Sequence, residues 1–331
     1  MTAPTGTAPT GIAPTGIAPP GIAPPGIGPA AAGPGAPAGR GVFVAILLLL
    51  GAGWGLTQPL GKLATSTGHP PFGLVFWQLV ICTLMLGAIT LARGRGLARG
   101  PGRLRFYLVV ALFGTLLPGF TFYAAIAHLP AGVMAVVIST VPILAFPMAL
   151  ALGLDRFDWR RLLGLVLGLA GVAVIAAPGA VLPGAAMLLW LPVALLGPLC
   201  YAVENVYVAR HGTAGLDPIH AMFGASVTGA ALCLPVTLAS GQWIDPLAPW
   251  GVAERALVLS SCVHALVYAA FVWLVARAGA VFAGQTAYLV TGAGVLWSVV
   301  LLGETLTPLF WLALGVMLAG VALVRPRQRA G

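Results

Sequence analysis

Long apolar stretches follow one another from Phe43 almost to the carboxyl terminus, and they constrain this chain more than any other feature. Hydrocarbon in a bilayer is about 30 Å thick, and a helix needs roughly 20 mainly apolar residues to cross it. Of the 331 residues, 60% are hydrophobic and only 7% are charged, which excludes an ordinary soluble domain. Because lipid offers no hydrogen-bond partner, each stretch must satisfy its own backbone. We therefore predict an all-α integral membrane protein.

The apolar stretches predict ten transmembrane helices. They lie near residues 43–63, 72–92, 106–127, 131–152, 161–177, 184–209, 218–239, 255–276, 280–302 and 308–324. Two of them begin at a capping side chain followed by proline, in Asp217-Pro218 and Thr307-Pro308, which is typical of a first helical turn.

The amino-terminal segment differs from the rest of the chain. Residues 3–27 repeat a five-residue unit of the type APTGI or APPGI, and glycine, proline and alanine continue to Gly39. Such a composition cannot build a core, so we expect residues 1–40 to form a disordered arm. It lacks the basic start and apolar centre of a signal peptide. A short basic tail is expected at 326–331.

Positive charge is sorted along the chain. If the amino terminus is cytoplasmic, 14 of the 16 lysines and arginines fall on cytoplasmic segments, and only 2, Lys62 and Arg255, fall outside. This partition follows the positive-inside rule. It predicts cytoplasmic amino and carboxyl termini, and it explains the net charge of +9 without a nucleic-acid partner.

The chain contains an internal repeat. At an offset of 149 residues Asp155 aligns with Glu304 and Gly171 with Gly320, while Trp54-Gly55 aligns with Tyr201-Ala202 at a slightly different offset. These matches predict two five-helix repeats, at 41–180 and 181–325. Because five is odd, the second repeat must enter the membrane with the opposite orientation, as in the inverted repeats of many secondary transporters.

With these features the chain resembles the drug/metabolite transporter superfamily, in particular its EamA-like members. The resemblance is carried by Trp54-Gly55 with Lys62, and by Gly303-Glu304-Thr305-Leu306-Thr307 followed by Gly315 and Gly320. Asp155 stands where a glutamate is usual, and Thr291 where a proline matching Pro142 would be expected. The resemblance implies a bacterial inner-membrane carrier, often an exporter, for metabolites, amino acids, nucleotide-related compounds or drugs.

Glu204 is the sharpest candidate for transport chemistry. With Asn205 it lies in the sixth predicted helix, about six residues or roughly 9 Å from Arg210. A carboxyl group removed from water favours its neutral form, so Glu204 could exchange protons or pair with a cationic substrate. The alternative is that it reaches the inner headgroups or a loop arginine and only sets the position of the helix.

Further polar and aromatic residues predict a central substrate site. His264 lies near the midplane with Tyr268 one turn later on the same face, for substrate contact, proton relay or simple packing. Aromatic walls with a few polar groups are typical of carrier sites. The predicted substrate-binding residues are Trp54, Gln58, Gln78, Tyr201, Glu204, Asn205, His264, Tyr268, Gln285 and Tyr288.

Other function classes find less support. The seven acidic residues form no cluster typical of a membrane-embedded enzyme acting on lipid-linked substrates, and no phosphate-binding glycine motif is present. We expect no enzyme activity, no cofactor and no metal site. A membrane sensor or scaffold is a third alternative. The partners predicted are a small-molecule substrate and the lipid bilayer.

Small residues at helical spacing predict close helix contacts. Gly164 and Gly168 in the fifth helix form a GxxxG pair, and Gly315 with Ala319 in the tenth is similar. Packing within the chain is the favoured interpretation, and a homodimer interface is the alternative.

Overall fold

The computed structural model describes residues 40–153, 157–176, 185–278 and 286–323. These residues form ten long helices and contain no strand. The helices are α1 Arg40–Ala64, α2 Pro71–Ala92, α3 Pro101–Ile126, α4 Ala131–Ala151, α5 Trp159–Ala176, α6 Trp190–His211, α7 Pro218–Ala239, α8 Val252–Ala278, α9 Thr286–Leu302 and α10 Pro308–Leu323. The predicted amino-terminal arm and basic tail lie outside the described residues.

Each predicted apolar stretch falls on one of these helices. Seven of them, α1 to α4 and α6 to α8, contain a stretch long and apolar enough to cross a membrane. The described parts of α5, α9 and α10 are shorter apolar helices. The prediction of an all-helical membrane protein with ten helices is therefore confirmed.

The helix contacts have an internal two-fold pattern. Within the described residues α1 packs against α8 and α9, and its counterpart α6 packs against α3 and α4. In the same way α2 contacts α8, while α7 contacts α3. Three pairs of counterparts contact each other directly, namely α2 with α7, α4 with α9, and α5 with α10. Exchanging the two halves maps this pattern onto itself, which confirms the prediction of two five-helix repeats.

Glycines allow the pair α5 and α10 to approach closely. A Cβ atom at Gly320 would lie 2.6 Å from the carbonyl oxygen of Gly164 and 2.9 Å from the amide nitrogen of Gly168, so only glycine fits there. The prediction that the GxxxG pair of α5 packs within the chain is thus correct. The same prediction is wrong for Gly315 and Ala319, which are exposed because α10 turns a different side towards α5.

Charged side chains join the connections between helices at the two ends of the bundle. At one end, which we call the arginine-rich face because it carries Arg93 to Arg105, Arg95 forms an ion pair with Asp217. Asp217 also accepts a hydrogen bond of 3.3 Å from the backbone N–H of His220, which confirms it as the cap of α7. At the opposite face, His69 contacts Glu254 at the start of α8.

Lys62 holds the end of α3 at this opposite face. Its ammonium donates to the carbonyl oxygens of Ile126, Ala127 and Leu129, at 2.7, 3.0 and 3.0 Å. The last carbonyls of a helix have no partner within the helix, so a lysine that takes three of them replaces the water that lipid excludes.

Glu304, in the second repeat, caps the amino terminus of α4 in the first repeat. Its carboxylate accepts hydrogen bonds from the backbone N–H groups of Ala131 and Gly132, the latter at 2.9 Å. A negative charge is favoured at the amino terminus of a helix, where the first N–H groups are free. Glu304 therefore caps α4, whereas its counterpart in the first repeat, Asp155, lies outside the described residues.

Removing the Glu304 carboxylate should destabilise the protein. In Glu304→Ala two N–H groups at the start of α4 lose their partner, which we expect to lower the free energy of unfolding by about 1–3 kcal/mol. Thermal unfolding of the detergent-purified protein measures this. Asp245→Ala is the matched control, because Asp245 is exposed and its carboxylate accepts only from Leu247 in the described part of the chain. Equal unfolding temperatures for the two variants would contradict the assignment.

Candidate functional site

A small cavity with a partly polar lining lies where the two repeats meet. It has a volume of about 40 Å³ and is lined by side chains of α2, α3, α6, α7 and α8. Polar and aromatic lining residues are Gln78, Thr115, Tyr201, Ser226, His264 and Tyr268. A cavity of this size holds water but no substrate, so this conformation is closed around the site.

A larger cavity of about 170 Å³ lies between α4, α5 and α6. Its lining is leucine, isoleucine, proline and glycine, with Thr140 as the one hydroxyl among the described lining residues. Such a surface suits a lipid chain and offers almost nothing to orient a polar molecule. The smaller cavity is therefore the better candidate for a substrate site.

Trp54 joins α1 to α8 through His264. The indole Nε1–H of Trp54 donates a hydrogen bond of 3.2 Å to Nδ1 of His264. Because an indole nitrogen only donates, His264 accepts at Nδ1 and carries its proton on Nε2 as a neutral ring. The Trp54 ring also meets Tyr268 edge-on, with centroids 6.3 Å apart. These contacts bring three predicted site residues together.

Gln78 is positioned from the first repeat. The hydroxyl group of Tyr123 in α3 donates a hydrogen bond of 2.7 Å to Oε1 of Gln78 in α2. Tyr123 is almost fully buried, so the pair has little freedom to move. Gln78 lines the cavity as predicted, and Tyr201, the counterpart of Trp54, lies on another wall.

Glu204 lies next to this cavity, against an unusual part of α3. The segment Ala111–Leu116 is π-helical, and a Cβ atom at Gly114 would lie 2.6 Å from Cδ of Glu204. The carboxylate therefore rests directly on the Gly114 backbone, and Glu204 is half-buried. Among the described residues it has no hydrogen-bond or ion-pair partner.

The π-helical segment has a cause in the sequence. Pro118 has no N–H group, so the carbonyl of residue 114 cannot receive the usual helical bond from it. π-helical turns occur where the regular bonding is disturbed, and they are frequent at functional sites. Gly114 and Thr115, which line the cavity, were missed as site residues in the sequence. Their only signal there is a glycine four residues before a proline.

Four predicted site residues lie elsewhere or outside the description. Gln58 is buried between α1 and α9, next to Gly294, and its Oε1 has no hydrogen-bond partner in the described part of the chain. Asn205 is exposed, because the residue after Glu204 points to another side of α6. Gln285 and the side chain of Tyr288 lie outside the described residues. Neither Gln58 nor Asn205 lines the cavity.

The described residues at the site carry a negative charge but no positive charge. No lysine or arginine is among the described lining residues. The Glu204 carboxylate lies within electrostatic range of the Tyr201 and Tyr268 hydroxyls. His264, the remaining titratable ring on the wall, is neutral in the tautomer that its bond to Trp54 requires. One acidic group therefore faces a wall of neutral polar and aromatic side chains.

Ten helices in two repeats, with a small, partly polar cavity between the repeats, are the architecture expected of a helical membrane transporter. Comparison with known proteins agrees with this class. The model of the EamA-like transporter family matches this chain twice, over residues 40–177 and 188–325. The chain therefore belongs to the EamA-like transporter family.

Individual relatives carry transporter names as well. The chain is 28% identical to the uncharacterized inner membrane transporter YedA of Escherichia coli strain K12, over 82% of this chain and 86% of that one. It is also 28% identical to the uncharacterized transporter YvbV of Bacillus subtilis strain 168, over 87% and 92% of the two chains. A protein crystal structure superposes with a TM-score of 0.59 at 18% identity, covering 86% and 96%, which shows the shared fold alone.

Gly114→Ala should impair transport, because the added Cβ atom would displace the Glu204 carboxylate. Forcing a methyl group into a filled site costs about 1–3 kcal/mol, so we expect roughly tenfold slower transport of a compound carried by the wild type. Gly315→Ala is the matched control, since no atom lies within 4 Å of its added methyl group. Equal rates for both variants in proteoliposomes would show that the position of the carboxylate is unimportant.

Proposed function

We propose that this protein is a secondary-active transporter that exports small metabolites, amino acids or drug-like compounds by alternating access, with proton coupling through Glu204. The observation that carries this proposal is the unpaired Glu204 carboxylate beside a water-sized cavity between two repeats. The sequence contains no nucleotide-binding motif, so the energy comes from an ion gradient, from exchange or from the substrate's own gradient.

The symmetry of the helix contacts supports alternating access. The contacts of α1 with α8 and α9 recur as contacts of α6 with α3 and α4, so the two repeats can exchange their conformations around a fixed site. At the face that carries Lys62 and Glu304 the connection between α3 and α4 is tied to both repeats. Opening at that face requires the Glu304 bonds, which join the two repeats, to part, so they favour the conformation that is closed there.

Proton coupling follows from what surrounds Glu204. In the membrane interior a carboxylate that has no partner among the described residues is costly, and taking up a proton removes its charge. Tyr201 of its own helix and Tyr268 of α8 lie within electrostatic range of Glu204. The other titratable side chains at the described cavity are His264 of α8 and Cys82 of α2, with Tyr123 of α3 behind Gln78. In this tautomer His264 is neutral, so no positive group among them competes with a proton for the carboxylate.

The arginine distribution supports an inner-membrane protein whose two termini are cytoplasmic. Arg93 and Arg95 both approach Asp217, so the α2–α3 and α6–α7 connections share one face of the bundle. The positive-inside rule makes that face cytoplasmic. Glu204 then lies in the cytoplasmic half of α6, which ends at His211, on the side where an exporter would load its substrate.

Cysteine labelling tests this orientation. Cys82, Cys200, Cys233 and Cys262 are first replaced, and a single cysteine is then placed at Arg99 or at Asp245. A membrane-impermeant maleimide should label the Asp245→Cys protein in sealed cells, and the Arg99→Cys protein only after the membrane is opened. Labelling of Arg99→Cys in sealed cells would overturn the topology and the direction of transport derived from it.

Glu204→Gln should abolish the pH dependence of transport while leaving the fold intact, because the amide is isosteric and cannot bind the proton. Uptake of radiolabelled amino acids, amines and nucleosides into proteoliposomes is measured across an imposed pH difference. Glu254→Gln is the matched control, since Glu254 pairs with His69 away from the cavity. The proposal fails if Glu204→Gln keeps a pH-dependent flux, or if no compound is transported by the wild-type protein.

A further inference from the structure

A zwitterion or an anion needs a positively charged group at its binding site, and the described lining of the central cavity provides none. Glu204 supplies one negative charge, and no lysine or arginine is among the described lining residues. The chain segment between α8 and α9, residues 279–285, contains no charged residue either. A substrate carboxylate would therefore enter without a cation to pair with, at a cost of several kcal/mol.

We propose that the site takes a monovalent organic cation, an amine with an aromatic or apolar body, whose ammonium group replaces the proton on Glu204. This inference rests on the proposed function and names its substrate class. One unpaired carboxylate balances one positive charge, so a dication would leave a charge uncompensated in a medium of low polarity. The carboxylate offers the charge-assisted hydrogen bond that an ammonium group needs.

The walls suit the body of such a molecule. Tyr201 and Tyr268 line the cavity within electrostatic range of Glu204, and Trp54 packs edge-on behind Tyr268. Aromatic faces attract cations and apolar groups alike. Leucine and valine side chains complete the lining, including Val75, Leu79 and Leu86. Because Nδ1 of His264 is occupied by Trp54, this ring is neutral and does not repel an ammonium ion.

The exchange balances in charge and in atoms. On the cytoplasmic side the Glu204 carboxyl group releases its proton and binds the ammonium ion; on the outer side the ammonium ion leaves and a proton returns. Only the O–H bond of Glu204 breaks and re-forms. One proton is exchanged for one monovalent cation, so transport responds to a pH difference and moves no net charge.

Three phenyl compounds of similar size test the charge preference. Phenethylamine carries an ammonium group, L-phenylalanine adds a carboxylate to it, and 2-phenylethanol has a hydroxyl in its place. Binding to the wild-type protein in lipid nanodiscs is measured by calorimetry. We expect phenethylamine to bind at least about tenfold more tightly than the other two, the effect of one charge-assisted hydrogen bond. Equal or tighter binding of phenylalanine or phenylethanol would overturn the inference.

Proton release gives a second measurement. In weakly buffered solution the binding of phenethylamine should release up to one proton per site, and less as the pH rises and Glu204 is already ionised. Glu204→Gln should lose both the proton release and the preference for the amine, whereas Glu254→Gln, which lies away from the cavity, should keep both. If Glu204→Gln fails to fold, the wild-type protein decides, because proton release that does not fall as the pH rises contradicts the site. Release that persists in a folded Glu204→Gln protein contradicts the site.

The outcomes separate the two proposals. If phenethylamine does not bind, but another compound shows Glu204-dependent flux, the substrate class is wrong and the transport function stands. If phenethylamine binds with proton release, but no compound crosses the membrane in proteoliposomes, the cation site stands and the transport function fails.

Discussion

Lipid offers no hydrogen-bond partner to a peptide group, and the structure of this protein follows from that constraint. Backbone groups are satisfied within helices, and the helix ends find charged side chains where water is excluded. Lys62 takes three carbonyls at the end of α3, and Glu304 takes two N–H groups at the start of α4. Both charges are therefore matched by backbone groups, which leaves Glu204 as the unusual one. An unmatched charge in this environment is costly, so its retention points to a partner that comes and goes.

The two repeats have the same fold but different chemistry at the centre. Tyr201 is the counterpart of Trp54, and at the same offset Glu204 is the counterpart of Thr57. The Thr57 hydroxyl donates to the backbone carbonyl of Trp54 at 2.7 Å and is satisfied within its own helix. The duplicated framework thus supplies the symmetry needed to open on either side. The difference between Thr57 and Glu204 places the single charge on the side of the second repeat.

Much of the fold could be predicted from the sequence, because hydrophobic length and arginine placement are local properties. The ten helices and the pairing of Gly171 with Gly320 in the alignment lead directly to the two repeats. The site was predicted less completely. Trp54, Gln78, Tyr201, His264 and Tyr268 meet as expected. Gln58 and Asn205 do not line the cavity, since polarity along a helix does not show which of its faces meets a neighbour.

By itself, the sequence determined that this chain is a membrane protein of ten helices in two repeats, because burying apolar length in lipid needs no knowledge of neighbours. Only the tertiary structure decided that Gly114 of α3 lies under the Glu204 carboxylate and that Trp54 holds His264 in a neutral tautomer. These contacts join helices that are distant in the chain. They depend on how the helices are rotated about their axes, which is set by packing between the repeats.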